Sequence, residues 1–320
     1  MNASHEASRP RLVVWLIADD RAGHRSQLQG LLQALQQRAR VDAHWLPPLP
    51  RGRALLAWLS ARFAPGAGLP APDLVIGCGH ATHLSLLAAC RAGARDGRTP
   101  RSILLMKPSL PLRWFDLCVI PQHDRPPARA NVIATRGVLN SARASVHQKP
   151  TQGLFLVGGP SKHHDWDEKT LLTQIRQVVK ATPDMRWALT TSRRTPESTT
   201  QALAALRRVG VEVIPLAKTD AGWVLDAITV SSQVWVTEDS VSMIYEALTS
   251  GAATGLLWVP RKHLDRVTEG IEQLVQEGRV STFLAWQETR ALPKADVPLA
   301  EADRVAEEIL ARFAQPEWHA

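Results

Sequence analysis

Short apolar runs that end in a polar turn and lead into a helical pattern recur along most of the 320-residue chain. In the first such unit, residues 12–18 form a buried-strand run, 19–24 form a polar turn, and 26–37 place leucines on one helical face. This alternation is typical of parallel α/β construction, in which each helix returns the chain to the start of the next strand. The sequence therefore predicts an α/β fold with parallel sheets.

The pattern continues through both halves of the chain. In the first half we predict strands at 73–77, 103–106, 117–120 and 131–134, and a helix at 82–92. In the second half we predict strands at 153–157, 186–190, 211–214, 234–237 and 254–257, and helices at 166–180, 197–206, 223–229 and 242–249.

The pattern breaks between residues 140 and 151, where no periodicity is present. A chain of this length is about twice the size of an ordinary domain, so two domains are expected. We predict an N-terminal domain over 1–145 and a C-terminal domain over 151–298. The segment 299–320 is predicted to form a helix that crosses back to the first domain, because Val305, Ile309 and Phe313 recur at helical spacing.

Several classes of protein are disfavoured by composition. Residues 1–11 are polar and lack the apolar region of a secretory signal, and no apolar run approaches the roughly 20 residues that span a bilayer. We therefore expect a cytoplasmic protein. Cys78, Cys90 and Cys118 form neither a CxxC pair nor a zinc-like cluster with histidine, so we expect reduced thiols, no metal site and no cofactor.

The chain is basic, with a net charge of +8 and a pI near 9.9, which indicates an anionic partner. Nucleic acid is disfavoured, because the basic residues are dispersed and no nucleic-acid-binding motif accompanies them. The 11 tryptophans, against one tyrosine, suit an anionic membrane surface. The alternative is that most of these tryptophans belong to the core.

Ligands of open α/β sheets bind beyond the carboxyl ends of the strands, so the polar residues that follow each strand are the candidate site. After the first strand of the second half, Gly158 and Gly159 would let a phosphate approach the backbone, and Ser161 would add a hydroxyl donor. The alternative is an ordinary tight turn.

The next strand of the second half ends in a basic loop. Ser192, Arg193 and Arg194 combine a hydroxyl with two guanidinium groups, a composition suited to a diphosphate. A solvated basic turn is the alternative.

A third loop carries acidic and hydroxyl side chains into a helix. Ser240 or Ser242 is placed to cap that helix, whose free N–H groups would favour a phosphate, and Glu238 and Asp239 precede it. Glu246 lies one turn into the helix, where its carboxylate would reach ribose hydroxyls. The alternative is a capped helix with nothing bound.

In the first half, His24 and His80 each follow a strand and stand near a helix start, as a general base would. Asp19 or Asp20 would orient the His24 imidazole. The alternative for both histidines is that they are ordinary polar side chains whose hydrogen bonds are made within the protein. Serine-hydrolase, Walker-type, HExxH and GxGxxG motifs are absent from the sequence.

The same segments resemble a known family. The motifs, in order, are Asp19 with RAGH at 21–24 and Gln27, GHATHL at 79–84, LMKPSL at 105–110, FDL at 115–117, IPQHD at 120–124, GGPS at 158–161, LTTSRRTP at 189–196, VTEDSVSM at 236–243 and YEALTSG at 245–251. They are similar to the bacterial relatives of the plant mitochondrial fission factor named for an elongated-mitochondria phenotype, formerly described as predicted nucleoside-diphosphate-sugar epimerases.

The resemblance implies a GT-B-like architecture, in which two Rossmann-like domains face each other across a cleft. This architecture is similar to that of nucleotide-sugar transferases of cell-envelope synthesis and of nucleotide-sugar epimerases, and it does not by itself set the activity. Our first hypothesis is an inverting glycosyltransferase that moves a sugar from a nucleotide-sugar donor to a cell-envelope glycan or lipid-linked acceptor at the inner face of the membrane. No metal is required in this hypothesis, because Arg193, Arg194 and a helix N-terminus can neutralise the departing diphosphate. A nucleotide-sugar epimerase and a non-catalytic recruitment scaffold are the alternatives, because eukaryotic members of the family act as recruitment factors. Arg25 and Ser26 depart from the acidic and amide residues that the family is expected to carry there.

Overall fold

The computed structural model describes residues 10–94, 98–220, 222–263, 266–294 and 297–315. Residues 1–9, interpreted above as lacking a secretory signal, lie outside this range, as do the last five residues of the predicted tail. The chain divides into two compact units. The N-terminal unit holds the described residues up to Ser141 and those from Glu301 onward, and the C-terminal unit is Ala142–Ala300.

The N-terminal unit contains a six-stranded parallel sheet with strand order β2-β1-β3-β4-β5-β6. Its strands are β1 (Arg11–Ile17), β2 (Arg40–Leu46), β3 (Leu74–Cys78), β4 (Arg101–Leu105), β5 (Leu117–Pro121) and β6 (Val132–Thr135). Its helices are α1 (Ala22–Arg38), α2 (Arg51–Ser60), α3 (His83–Gly93) and, from the end of the chain, α10 (Glu301–Phe313).

The sheet of this unit is buried on both faces, which is why its strands read as continuous apolar runs. Leu12, Val14 and Leu16 of β1 pack with α1 and α10 on one face. Trp15 and Ile17, which alternate with them, belong to the core on the other face.

The last helix, α10, is part of the N-terminal unit. Val305 and Ile309 are fully buried in the core beside α1. Arg38 of α1 donates to Asp303 across 2.8 Å, and Arg304 donates to the carbonyl oxygen of Ala134 across 2.7 Å. The apolar stripe of this helix therefore supplies the packing, and ion pairs border it.

The C-terminal unit repeats the architecture, with a parallel sheet of order β12-β11-β10-β7-β8-β9. Its strands are β7 (Lys149–Val157), β8 (Arg186–Thr191), β9 (Val211–Ile214), β10 (Ser231–Thr237), β11 (Ala253–Leu257) and β12 (Val280–Thr282). Its helices are α4 (Glu168–Ala181), α5 (Glu197–Leu203), α6 (Trp223–Val230), α7 (Val241–Ser250), α8 (Arg266–Gln276) and α9 (Phe283–Thr289).

Five of these elements are not predicted by the sequence patterns, namely β2, α2, α8, β12 and α9. Strand β2 carries Asp42 and His44 and lies at the edge of its sheet, so its residues are only partly buried and give no clear apolar run. Strand β12 has only three residues. These two edge strands form because a neighbouring strand is already in place, and their own pattern is weak.

The tryptophans divide between core and surface. Trp15, Trp187, Trp235 and Trp286 are buried, and the last two meet edge to face with ring centroids 5.2 Å apart. Trp58, Trp114 and Trp258 are exposed. Core packing explains the four buried tryptophans but does not explain the three exposed ones.

Among the residues described, no helix combines the length and the apolar character needed to cross a bilayer. The three cysteine thiols are buried, and burial raises the pKa of each above its ordinary value, to about 12 for Cys118. These thiols are therefore protonated, weakly reactive groups that pack as small apolar side chains.

Candidate functional site

The loop after β1 holds a histidine against a carboxylate. Asp19 lies two residues beyond the end of β1, and His24 lies in the first turn of α1. Nδ1 of His24 is 2.9 Å from both carboxylate oxygens of Asp19, and Oδ1 of Asp19 also accepts the backbone N–H of Arg21. Asp19, and not its exposed neighbour Asp20, thus orients the imidazole. Its ring nitrogen Nε2 has no hydrogen-bond partner among the described residues.

The loop after β3 supplies the surface on which this imidazole rests. Gly79 has a φ of +80° and a ψ of 170°, a conformation that is essentially restricted to glycine. A Cβ at Gly79 would overlap the His24 ring and would lie 2.8 Å from its Nδ1. Gly79 therefore allows the backbone of the second loop to meet the His24 side chain.

The other predicted base, His80, has a different environment. It is exposed, and its ring lies edge-on to that of His83 with centroids 5.3 Å apart. His83 is buried, its Nδ1 is 3.3 Å from the hydroxyl of Ser109, and its Nε2 has no partner among the described residues. Burial, with smaller contributions from His80 and Arg51, lowers the pKa of His83 from 6.5 to about 4. His83 is therefore neutral at neutral pH, and no carboxylate in the described part of the chain orients His80.

In the C-terminal unit, the loops after β7, β8 and β10 are bound to one another. The N–H of Gly158 donates to the hydroxyl of Thr237 across 2.8 Å, and the N–H of Gly159 donates to Asp239 across 3.0 Å. A Cβ at Gly158 would overlap the Asp239 carboxylate, and one at Gly159 would overlap the carbonyl of Arg194. The glycines thus permit close approach of protein groups, a different reason from the phosphate contact that we predicted.

Arg194 and Asp239 form the centre of this cluster. Arg194 donates to Oδ2 of Asp239 across 2.7 Å and to the carbonyl of Gly159 across 2.6 Å. The Asp239 side chain is fully buried, and its Oδ1 has no partner among the described residues. Since Arg194 already neutralises a buried carboxylate, Arg193 is the cation of the pair that is available to a ligand. It is exposed, with no hydrogen bond or ion pair to the described part of the chain.

The predicted serines make local contacts. Ser192 accepts the N–H of Arg194 across 3.2 Å, and Ser161 accepts the N–H groups of His163 and His164 at 3.1 Å each. Both hydroxyls shape their own turns.

The carboxylate of Glu238 binds different residues from those that Asp239 binds. The Glu238 carboxylate is buried and lies 3.3 Å from Nε of Arg261, which also donates to Glu272 across 2.7 Å. Burial raises the pKa of Glu238 above its ordinary value, although the Arg261 charge opposes this. Arg261 was not anticipated from the sequence, because no pattern links it to a residue 23 positions earlier.

Helix α7 begins directly beyond β10. Ser240 occupies its N-cap position and is buried, but its side chain makes no capping hydrogen bond, so the predicted cap is not formed by this hydroxyl. Ser242 is exposed in the first turn, and Glu246 is partly buried in the second. Within the described ranges, the first N–H groups of α7 therefore lack a side-chain acceptor, as an anion site at a helix N-terminus requires.

The structure thus brings Gly158, Gly159, Arg194 and Asp239 into one cluster at the carboxyl ends of β7, β8 and β10, and joins His24 to Asp19 in the other unit. Thr237 and Thr195 belong to the same cluster and were not singled out from the sequence. The roles of all these residues as ligands or catalysts stay predictions.

Comparison with solved structures gives the fold. The chain is similar to a "putative UDP-N-acetylglucosamine 2-epimerase" from Listeria monocytogenes, with a TM-score of 0.60, 12% identity and 96% of each chain covered. A second UDP-N-acetylglucosamine 2-epimerase gives a TM-score of 0.55 at 13% identity, with 94% of this chain and 95% of the epimerase chain covered. The UDP-GlcNAc 2-epimerase of Methanocaldococcus jannaschii gives a TM-score of 0.50 at 10% identity, with 94% of this chain and 99% of the epimerase chain covered.

At these identities the likeness shows the fold alone, and it confirms the predicted class, an α/β protein with two Rossmann-like halves of the GT-B type. This fold is shared by glycosyltransferases and sugar epimerases. Comparison with curated protein sequences finds no match. A family model described as mitochondrial fission ELM1 matches residues 22–313, so the chain belongs to that family, as the motifs indicated.

Proposed function

We propose that the protein is a nucleotide-sugar-dependent, inverting glycosyltransferase that acts without a metal ion on a cell-envelope glycan or lipid-linked acceptor at the inner face of the membrane. The observation that carries this proposal is the hydrogen-bonded pair of His24 and Asp19, because one oriented base is what a transfer of this kind requires.

The hydrogen bond between Asp19 and His24 selects the imidazole tautomer that this chemistry needs. With Nδ1–H donating to Asp19, the lone pair of the neutral ring is on Nε2. Nε2 would take the proton from the acceptor hydroxyl as its oxygen attacks the anomeric carbon, on the face opposite to the departing nucleoside diphosphate. Asp19 would stabilise the imidazolium that forms, and the product would have inverted configuration.

The C-terminal unit would bind the donor. The uncapped start of α7 and the exposed guanidinium of Arg193 would neutralise the departing diphosphate, and Glu246 would bind ribose hydroxyls. Arg194 and Asp239 would hold the loops in place around the donor.

Donor binding is tested first, by a thermal-shift screen of nucleoside diphosphates and their sugars. A ligand at about 100 times its Kd stabilises the protein by about 2.7 kcal/mol, which is readily measured. If no nucleotide binds, the enzyme proposal is wrong and the chain is a scaffold of the same fold.

The base is tested by His24→Ala in a transfer assay with the donor that binds. We expect turnover to fall about 100-fold or more with nucleotide affinity nearly unchanged. Asp19→Asn should lower turnover, whereas Asp20→Asn is the matched control and should not. If His24→Ala keeps full turnover and His80→Ala loses it, the two histidines exchange roles. If both variants stay active, Asp19 is the next base to test.

A nucleotide-sugar epimerase is the second candidate, because the three similar structures with TM-scores of 0.50 to 0.60 all carry the name of UDP-GlcNAc 2-epimerase. An epimerase converts its substrate without an acceptor. Incubation with UDP-GlcNAc in D2O separates the candidates, since only an epimerase introduces deuterium at C2 of the sugar when no acceptor is present.

A further inference from the structure

Helix α2 presents its large apolar side chains outward. Of its residues only Ala54 and Ala57 are buried, whereas Leu55, Leu56 and Leu59 are 46%, 66% and 58% exposed. We call these three side chains the α2 leucine face.

The arrangement is the reverse of an ordinary surface helix. At about 100° per residue, the three leucines occupy one arc of the helix, and Ala54 and Ala57 lie on the opposite side. The helix therefore packs on the protein through its small residues. Folding alone does not account for three leucines that stay in water, and a contiguous exposed apolar surface indicates a binding partner.

The surroundings of the α2 leucine face are cationic. On the same helical projection Arg51 and Arg53 border the face on its two sides, and Arg62 follows the end of the helix. The sequence contains no Asp or Glu from residue 43 to residue 72. Trp58, beside the leucines, is 38% exposed, and the guanidinium of Arg91 lies over its ring at 5.4 Å from the centroid.

Helix α2 packs on α3, which directly follows the loop that carries His80. The N–H of Leu49, just before the helix, donates to Ser85 of α3 across 2.9 Å. Arg51 lies near enough to His83 for its charge to contribute to the lowered pKa of that histidine. The first turn of α2 therefore lies near the start of α3.

We propose that α2 is the membrane-binding element of this protein and that it lies in the interface of an anionic lipid bilayer. The α2 leucine face enters the boundary between headgroups and acyl chains, Arg51, Arg53 and Arg62 bind lipid phosphates, and Trp58 occupies the interfacial level. A lipid surface fits better than a protein partner because arginines border the apolar face on both sides with no acidic residue near them in sequence. Positive charge on both sides of an apolar face is complementary to the lipid phosphates at the surface of an anionic bilayer.

Membrane binding by α2 does not depend on the transfer reaction. If the proposed function holds, this placement brings a lipid-linked acceptor to the N-terminal unit, near the start of α3. Vesicle binding is measured without substrate, so failure of one proposal is distinguishable from failure of the other.

The test is sedimentation of the full chain with vesicles of phosphatidylcholine alone or mixed with phosphatidylglycerol. We expect binding to the mixed vesicles that is lost in about 1 M salt, where the Debye length falls to about 3 Å. The double variant Leu56→Ser, Leu59→Ser should bind at least about tenfold more weakly. Arg51→Gln with Arg53→Gln should weaken binding about 25-fold, at about fivefold for each charge.

The matched control is Leu284→Ser, which removes a leucine that is 70% exposed on α9 of the other unit and should bind as wild type does. All variants should keep the wild-type unfolding temperature, since the altered side chains are exposed. Wild-type binding by the double leucine variant would overturn the proposal, as would equal binding to neutral and anionic vesicles. A wild-type dimer that fails to bind vesicles and dissociates on the double leucine substitution would also overturn it and make the α2 leucine face a contact between copies of the chain.

Discussion

Replacement of Gly79 by alanine tests the construction of the histidine site without altering any of its functional groups. Gly79 lies at φ +80° and ψ 170°, and a Cβ there would overlap the imidazole of His24. The added methyl group therefore has two effects. It places a side chain on a backbone conformation reserved for glycine, and it pushes His24 away from Asp19.

The two effects have separate magnitudes. Backbone strain of this kind costs about 1–3 kcal/mol. Loss of the hydrogen bond between the imidazole and the carboxylate costs about 1.5–3 kcal/mol, because one partner is charged. We expect Gly79→Ala to lower the free energy of unfolding of the N-terminal unit by the sum of the two, about 2.5–6 kcal/mol, which is on the order of 10 °C in Tm for a unit of this size.

Two other glycines provide the controls. Gly68 has a similar φ of +81° but open space around a Cβ, so Gly68→Ala reports strain alone. Gly23, in the first turn of α1, also has open space and no positive φ, so Gly23→Ala should leave stability unchanged or raise it slightly. The assay is calorimetric unfolding of all three variants. If Gly79→Ala and Gly68→Ala are destabilised equally, the contact between Gly79 and His24 contributes nothing and the reasoning is refuted.

Two further predictions concern the donor site and pH. Glu246→Gln and Ser240→Ala should each weaken nucleoside diphosphate binding by about 1–3 kcal/mol if these residues bind ribose and phosphate. Titration calorimetry measures the effect, and Glu197→Gln, at an exposed residue in the first turn of α5, is the control. Wild-type Kd values in both variants would remove the assignment. For His83, whose pKa is lowered from 6.5 to about 4, the unfolded state binds the extra proton, so its contribution to stability is present above pH 6.5 and declines toward pH 4. The free energy of unfolding, measured in urea, should fall between pH 6.5 and pH 4 by up to about 3 kcal/mol less in His83→Gln than in the wild type. The same fall in both proteins would contradict the assignment.

The fold could be predicted from sequence where strands are buried on both faces. The strand predicted at 117–120 lies within β5, and that at 153–157 is the fully buried end of β7. These segments are apolar because helices cover both sides of the sheet. Strand β2 was not predicted, since an edge strand is held by its neighbour β1 and its own pattern is weak.

The candidate site could be predicted only as a set of segments. The rule that ligands bind at the carboxyl ends of strands points to the loops after β1, β3, β7, β8 and β10. It does not show which side chains bind each other, because Arg194 and Asp239 are 45 residues apart and no local pattern relates them. The pairing of His24 with Asp19 is the exception. Those residues lie five apart, on either side of the turn from β1 into α1, so the chain itself keeps them close.

Helix α2 shows where pattern analysis reaches its limit. Helix prediction assumes that an apolar stripe faces the core, and by that assumption Leu55, Leu56 and Leu59 would be buried. The structure buries Ala54 and Ala57 instead, because close packing of α2 on α3 leaves room only for small side chains. An apolar stripe in a sequence therefore predicts a helix face that is buried. Only the structure shows whether it is buried by the rest of the protein or is left for a binding partner. For α2 the described residues provide no cover, and the basic residues on both sides of the leucines favour a lipid surface as that partner.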